Sequence, residues 1–68
     1  MADTTYKFVE IVGTSEESVS RAIEGAISRA SGSLRNLGWF GVVQVRGRIE
    51  GGKVHQYQVT LKVGFALE

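Results

Sequence analysis

Residues 57–67 read Tyr-Gln-Val-Thr-Leu-Lys-Val-Gly-Phe-Ala-Leu, so apolar residues alternate with polar or small ones. Because successive side chains of a strand point to opposite faces of a sheet, this period of two predicts a strand with one apolar face. The apolar face holds Tyr57, Val59, Leu61, Val63, Phe65 and Leu67. The other face holds Gln56, Gln58, Thr60, Lys62, Gly64 and Ala66.

A second strand precedes this one and is joined to it by a tight turn. The segment Glu50-Gly51-Gly52-Lys53 predicts a hairpin, because its two glycines can adopt the positive φ angles that such a turn requires. Before it, alternation from Val42 to Ile49 predicts the strand. One face would hold Val43, Val45 and Ile49, and the other Val42, Gln44, Arg46 and Arg48.

The N-terminal half predicts a strand followed by a helix. Tyr6–Val12 is rich in β-branched and aromatic residues, and Gly13 is predicted to end this strand. Thr14 and Glu17 have the spacing of a capping box, which starts a helix. Gly38 is the predicted C-terminal cap of that helix. Its apolar stripe, at three- and four-residue spacing, is Val19, Ala22, Ile23, Ala26, Ile27, Ala30, Leu34 and Leu37.

The predicted order is therefore β-α-β-β, an α+β fold. A right-handed crossover makes the first two strands parallel, and the last strand fits between them, antiparallel to both, with the helix on one face. The other face would carry side chains that hydrogen-bond planar or anionic ligands. These are Gln44, Arg46, Arg48, Gln56, Gln58, Thr60 and Lys62. We expect an inter-subunit surface or a binding groove there.

Size and composition narrow the possible functions. We expect a single domain spanning residues 1–68. So short a chain is only marginally stable unless a cross-link, a bound ligand or self-association stabilises it. With no cysteine, disulfides and the usual zinc frameworks are excluded, which leaves a bound ligand or self-association. A net charge of +1 gives no broad field for nucleic acid or a membrane surface. Neither an export signal nor a membrane span is apparent, so we expect a cytoplasmic protein.

Few side chains are suited to catalysis. His55 is the single histidine, and no cysteine or second histidine is present to complete a metal site with it. We therefore predict an exposed hairpin residue at His55, no catalytic or metal site, and a protein that is not an enzyme. Arg46 and Arg48 lie two apart on a strand, so they share a face and could bind phosphates or carboxylates. Salt bridges or a solvated face are the alternative for this pair.

Trp39, the single tryptophan, lies where the predicted helix gives way to a strand. A large planar side chain at such a junction is either a packing residue or a stacking platform. Strict alternation places Trp39 on the helix side with Val43. However, Gly38 and Gly41 allow a bulge that would turn the indole to the other face, so the sequence leaves its direction open.

Several segments together resemble the dodecin family of small flavin-binding proteins. They are Glu10-Ile11-Val12-Gly13-Thr14-Ser15, Gly38-Trp39-Phe40, Val45-Arg46-Gly47 and Tyr57 to Phe65, in the family's order and spacing. The resemblance covers nearly the whole chain. It implies a β-α-β-β protomer whose three-stranded antiparallel sheet wraps around the helix, assembled into a hollow homododecamer.

The resemblance also implies a ligand, riboflavin or FMN, bound in pairs between the indoles of two subunits. Trp39 matches the stacking tryptophan, and Gln58 matches the glutamine that hydrogen-bonds the pyrimidine edge of the flavin. Arg46 matches a position that lies near the ligand tail or near subunit contacts in bacterial members. Gln44 matches a position at which some members contact the ribityl chain. Stacking adds about 0.5–1.5 kcal/mol to area burial, and a carboxamide offers both a donor and an acceptor. The function implied is storage of flavin and quenching of its photochemistry.

The C-terminal segment departs from the family pattern. Many bacterial dodecins carry arginine where this chain has Ala66, so a cation that could pair with a phosphate is missing, and a preference for FMN over riboflavin is in question. Coenzyme A, which some members bind, is a further possible ligand. The alternative functions are a structural or interaction oligomer in which flavin is incidental, a coenzyme A-binding particle and, less in keeping with these residues, a flavoenzyme.

Overall fold

The computed structural model describes residues 3–67, so Met1, Ala2 and Glu68, at the ends of the predicted domain, lie outside the described residues. Its elements are β1 (Tyr6–Ser15), α1 (Val19–Ser31), β2 (Leu37–Glu50) and β3 (Lys53–Ala66). The strands form one sheet in the order β1-β3-β2, with β3 antiparallel to both neighbours. The predicted α+β fold, with the last strand in the centre and one helix, is confirmed.

The core lies between β3 and the helix. Val59, Leu61 and Val63 are almost completely buried, and they pack with Ala22 and Ala26 of α1. This confirms that the odd-numbered residues of β3 face the core. Two small residues on the helix allow it to lie close to the sheet.

Gly13 does not end β1, contrary to the sequence prediction. It is buried within the strand, where a Cβ would overlap the carbonyl oxygen of Ala22 and lie 2.8 Å from the Cβ of Ala26. The glycine is therefore needed because the helix backbone approaches the strand closely at this point. Pairing with β3 continues past it to Ser15.

The helix begins later than predicted, and the capping box at Thr14 and Glu17 was wrong. Thr14 lies in β1. The cap is Ser18, which has extended backbone and whose Oγ accepts from the amide of Arg21 at 3.0 Å. Ser15 Oγ accepts from the amide of Glu17 at 2.9 Å in the intervening turn. Because the backbone of Thr14 pairs with β3, this residue cannot serve as the cap of a helix.

The helix also ends earlier than predicted, at Ser31. The Gly32 amide donates to the carbonyl of Arg29 at 3.2 Å, and Asn36 then takes a left-handed φ of 62° that turns the chain into β2. Glycine is a poor helix former and asparagine tolerates the left-handed region, so the chain turns here. Leu34 and Leu37 are therefore outside the helix, and Gly38 lies in β2 rather than capping α1.

β2 begins at Leu37, five residues before the predicted Val42, and its alternation is interrupted by three register shifts. One lies between Leu37 and Trp39, and another between Val42 and Gln44. Each inserts an extra residue, which reverses the faces of all residues beyond it. Trp39 therefore stands opposite Gly64, away from the helix, and Val42 stands on the helix side. Strict alternation gave the wrong face for both.

The hairpin between β2 and β3 forms at the predicted turn. Gly51 and Gly52 have φ angles of 61° and 76°, which confirms why glycines are needed there. A third register shift, after Arg48, pairs Ile49 with Val54 on the face away from the helix. The sequence had placed Ile49 on the core side, and that was wrong.

Much apolar surface stays exposed in the protomer, which measures 55 × 20 × 14 Å. Most of β2 is exposed, and Ile49 is 78% exposed. Exposed apolar patches of this kind are typical of interaction surfaces. The large exposed apolar side chains include Phe8, Val12, Phe40, Val43, Val45 and Val54. Within residues 3–67, no helix combines the length and apolar character that crossing a bilayer requires.

Candidate functional site

The sheet face opposite α1, called the open face below, carries every side chain predicted to bind a ligand. Directly paired residues of antiparallel strands project to the same side, so the strand register defines this face. It consists of Tyr6, Phe8, Glu10, Val12 and Thr14 from β1, Trp39, Gly41, Gln44, Arg46, Arg48 and Ile49 from β2, and Val54, Gln56, Gln58, Thr60, Lys62, Gly64 and Ala66 from β3.

At one end of the open face, Trp39 lies flat across β3. A Cβ on Gly64 would overlap the indole at Cε2, so the absence of a side chain there lets the ring rest against the strand. Tyr6 meets the indole edge-on, with the ring centroids 6.1 Å apart. The tryptophan is nevertheless 42% exposed. One face of the indole is thus supported from below while part of its surface stays accessible.

Lys62 and Phe8 lie beside this aromatic end. The Nζ of Lys62 is 4.9 Å from the centroid of the Phe8 ring, a cation–π distance. Lys62 also pairs across the ladder with Glu10. Three aromatic rings therefore gather on the open face, those of Tyr6, Phe8 and Trp39.

Polar side chains form a hydrogen-bonded chain at the other end. Arg46 Nε donates to Gln58 Oε1 at 3.0 Å, and Gln58 Nε2 donates to Gln56 Oε1 at 3.0 Å. Gln44 lies on the same strand and face as Arg46, opposite Thr60. The structure thus brings three of the four predicted site residues together: Gln44, Arg46 and Gln58.

Trp39 is not close to these three in the same chain. It pairs with Gly64, whereas Arg46 pairs with Gln58, six residues away along β3. At the usual rise of a strand this separation is about 20 Å, much longer than a flavin ring system. One protomer therefore cannot present Trp39 and Gln58 to the same flavin ring.

His55 lies on the helix side of β3, away from the candidate site. Its Nδ1 is 3.3 Å from Glu50 Oε1, and the residue is partly buried, whereas the sequence predicted an exposed one. Among residues 3–67, no group of three or more His, Cys, Asp or Glu is arranged to hold a metal ion.

One cavity lies where β1 meets the helix. It is a groove of about 950 Å³ between β1 and the C-terminal half of α1, lined by Val9, Ile11, Ala26, Ala30 and Leu34 among others. A second groove, of about 580 Å³, lies between α1 and Phe40. Both grooves are mainly apolar and neither contains a predicted site residue, which fits surfaces for protein packing better than a polar ligand site.

Comparison with known proteins identifies the family. The family model described as Dodecin matches residues 5–68. A dodecin of Thermus thermophilus is 54% identical over 63 residues, which are 93% of this chain and 91% of that protein. The chain belongs to the dodecin family. The resemblance seen in the sequence is therefore confirmed over nearly the whole length.

Solved dodecin structures match the protomer closely. Dodecin from Streptomyces coelicolor superposes with a TM-score of 0.93 at 53% identity, covering 100% of this chain and 97% of that one. Dodecin from Streptomyces davaonensis gives 0.92 at 51% identity, covering 98% of each chain. These matches confirm the dodecin arrangement of the helix and sheet.

Two residues at the aromatic end of this dodecin were not singled out by the sequence reasoning. Gly64 supports the indole and Tyr6 borders it. A glycine inside an otherwise β-branched and aromatic strand is a signal of close approach by another group, so Gly64 could have been found. Tyr6 could not, because its contact with Trp39 depends on the bulge in β2.

Proposed function

We propose that this dodecin is a non-enzymatic flavin-binding protein that stores riboflavin or FMN and quenches its photochemistry. In the proposed arrangement, flavins stack in pairs between Trp39 residues of two subunits of a homododecamer. Gln58 would hold the pyrimidine edge of the ring, and Gln44 and Arg46 would lie near the ligand tail. Family membership supports an oligomeric binding protein, and the cytoplasm remains our predicted location.

The observation that carries this proposal is the accessible indole of Trp39. Gly64 leaves room for the ring against the sheet, since a Cβ at that position would overlap the indole. Here Gly64 and Tyr6 hold the ring against the sheet and leave part of it exposed. A flat, electron-poor flavin ring can stack on such a surface.

The hydrogen bonds of Gln58 suit the edge of a flavin. A carboxamide oxygen accepts two hydrogen bonds and its nitrogen donates two. Arg46 uses one acceptor position and Gln56 uses one donor position. One acceptor and one donor remain, which is the pattern that pairs with the adjacent N–H and C=O groups of a pyrimidine ring. Arg46 and Gln56 also fix the orientation of the amide.

The proposed site needs two subunits. Because Trp39 and Gln58 lie about 20 Å apart along the sheet of one chain, a ring that contacts both must lie between neighbouring protomers. The exposed apolar surface of β2 supports assembly, since it has no cover within residues 3–67 of the chain. Assembly and flavin binding are therefore linked in this proposal.

The test is a fluorescence titration of riboflavin and of FMN with apo-protein of known oligomeric mass. We expect strong, saturable quenching by the natural protein. Trp39→Ala should weaken binding by about 1–3 kcal/mol, the range seen when an aromatic that stacks on a base is removed. Light scattering should show the same particle mass, and undiminished affinity in this variant would refute the stacking role.

The alternatives give different results in the same experiment. If Trp39 only joins subunits, Trp39→Ala dissociates the particle, and flavin quenching is weak in the natural protein too. A coenzyme A-binding particle would bind coenzyme A saturably and flavin weakly. Steady oxidation of a nicotinamide donor by the flavin-loaded protein would instead indicate a flavoenzyme.

A further inference from the structure

Two readily oxidised side chains are in contact at the aromatic end of the open face. The ring of Tyr6 meets the indole of Trp39 edge-on, with the centroids 6.1 Å apart. The chain has one tryptophan and two tyrosines. The second tyrosine, Tyr57, lies on the helix side of β3, seven residues from the Gly64 that supports the indole. At the usual rise of a strand this separation is roughly 23 Å, so Tyr6 is the tyrosine close to Trp39.

Tyr6 is placed to lose a proton as well as an electron. It pairs with Ala66 at the end of the sheet and is 46% exposed. A phenol becomes strongly acidic when it loses an electron, so an exposed phenol passes its proton to water within hydrogen-bond reach. Phe8, the third ring of this end, has no hydroxyl proton and is much harder to oxidise. Tyr6 is therefore the ring here that could reduce an oxidised Trp39.

The proposed function exposes Trp39 to oxidation. An excited flavin is a strong one-electron oxidant, and indole is the most easily oxidised ring system among the aromatic side chains after phenolate. Quenching in the proposed site therefore takes one electron from Trp39. An oxidised indole that persists reacts irreversibly with oxygen or water, and the planar surface needed for stacking is then lost. A stacking tryptophan in a storage protein thus benefits from a neighbouring group that restores it.

We propose that Tyr6 is the electron donor that restores Trp39 after its oxidation, so that the two residues form a relay. This inference rests on the proposed function, in which the excited flavin is the oxidant. Trp39 first loses one electron. One electron then passes from Tyr6 to the indole, the phenolic proton leaves to water, and a neutral tyrosyl radical remains. Tyr6 finally recovers an electron from the flavin and a proton from water, so no atom is gained or lost overall.

The contact between the two rings is built into the protomer. A Cβ on Gly64 would overlap the indole, and a Cβ on Gly38 would lie 2.9 Å from Tyr6 Cε1, so both rings occupy space that glycines leave free. Electron transfer becomes steeply slower as the distance between donor and acceptor grows, which favours Tyr6 over the distant Tyr57. Because no ligand is needed to form this contact, the transfer step is measurable in the apo-protein.

The test oxidises the apo-protein and follows the radical. Azide radicals, generated by a short radiation pulse in an azide solution, take one electron from tryptophan and become azide anions. Absorption spectroscopy then distinguishes the tryptophan radical from the tyrosyl radical. An indole that has lost its N–H proton regains one from water during the transfer. In the natural protein we expect the tryptophan radical to decay as the tyrosyl radical appears, at a rate independent of protein concentration.

Two matched variants locate the donor. Tyr6→Phe keeps a ring beside the indole but removes the oxidisable phenol, so the concentration-independent transfer should be lost. Tyr57→Phe makes the same change at the distant tyrosine and should leave the transfer as in the natural protein. Transfer that survives in Tyr6→Phe, or that is absent from the natural protein, would overturn the relay. Light scattering establishes that each variant has the particle mass of the natural protein.

A second measurement needs no variant and remains decisive if Tyr6→Phe fails to assemble. A nitroso spin trap present during oxidation of the natural apo-protein attaches covalently to the tyrosyl radical, and peptide mass spectrometry locates the adduct. We expect the adduct on Tyr6. An adduct on Tyr57 instead, or oxidation that stays on Trp39, would overturn the relay. Failure of both flavins to bind would overturn the proposed function, whereas the apo-protein result alone decides whether Tyr6 reduces Trp39.

Discussion

The ring of Tyr6 meets the indole of Trp39 edge-on, with centroids 6.1 Å apart and planes inclined by 65°. The same tyrosine also fills the space beside Gly38, where a Cβ would lie 2.9 Å from Tyr6 Cε1. Strands β1 and β2 do not pair with each other, so this contact reaches across the central strand. It fixes the indole from the side while Gly64 supports it from below.

Removing the Tyr6 ring should therefore loosen Trp39. An aromatic pair contributes about 0.5–1.5 kcal/mol beyond area burial, so Tyr6→Ala should weaken flavin binding by roughly two- to tenfold. Tyr6→Phe keeps the edge contact and should bind normally. Near-ultraviolet circular dichroism of the apo-protein should show a changed tryptophan signal only in Tyr6→Ala. Full affinity in that variant would show that Tyr6 has no positioning role.

A side chain at position 64 should displace the indole. The Cβ of Gly64→Ala would overlap Trp39 Cε2, so the ring must leave its place on the sheet. We expect a loss of flavin affinity comparable to that of Trp39→Ala, measured by fluorescence quenching. Gly25→Ala is the matched control, since nothing lies within 4 Å of a Cβ there. That helical change should preserve binding and stabilise the fold by about 0.5–1 kcal/mol.

Mixing two defective chains should restore part of the flavin binding. In the proposed site, Trp39 comes from one subunit and Gln58 from another. A site is therefore intact where a Trp39→Ala chain, which keeps Gln58, lies beside a Gln58→Ala chain, which keeps Trp39. Co-refolded mixtures should therefore bind more flavin than either variant assembled alone. Binding that merely averages the two variants would contradict a shared site.

Ser18, rather than Thr14, should determine the stability of the helix start. Ser18→Ala removes the acceptor for the Arg21 amide and should lower the free energy of unfolding by about 1 kcal/mol. Thr14→Val suits a strand position and should change it much less. Denaturant unfolding measures both variants, and a larger loss in Thr14→Val would instead favour the capping box read from the sequence.

The sequence determined the order of elements, the hairpin and the buried face of β3, because these depend on local periodicity and on turn residues. Val59, Leu61 and Val63 alternate without interruption, and Gly51 and Gly52 occupy the positions that need positive φ. The sequence also named the candidate ligand residues, through the resemblance of segments spread over the whole chain.

The tertiary structure decided where each element ends and which way Trp39 faces. Pairing with β3 drew Thr14 and Ser15 into β1 and Leu37 into β2, against the local helix signals. The bulge after Val42 reversed the alternation, which placed Trp39 and Arg46 on the same face despite their opposite parity. Strand pairing joins residues that are far apart in the chain, so one segment does not show where its pairing ends. Periodicity within one segment also does not show where a bulge inserts an extra residue. Only the folded sheet could therefore fix these positions.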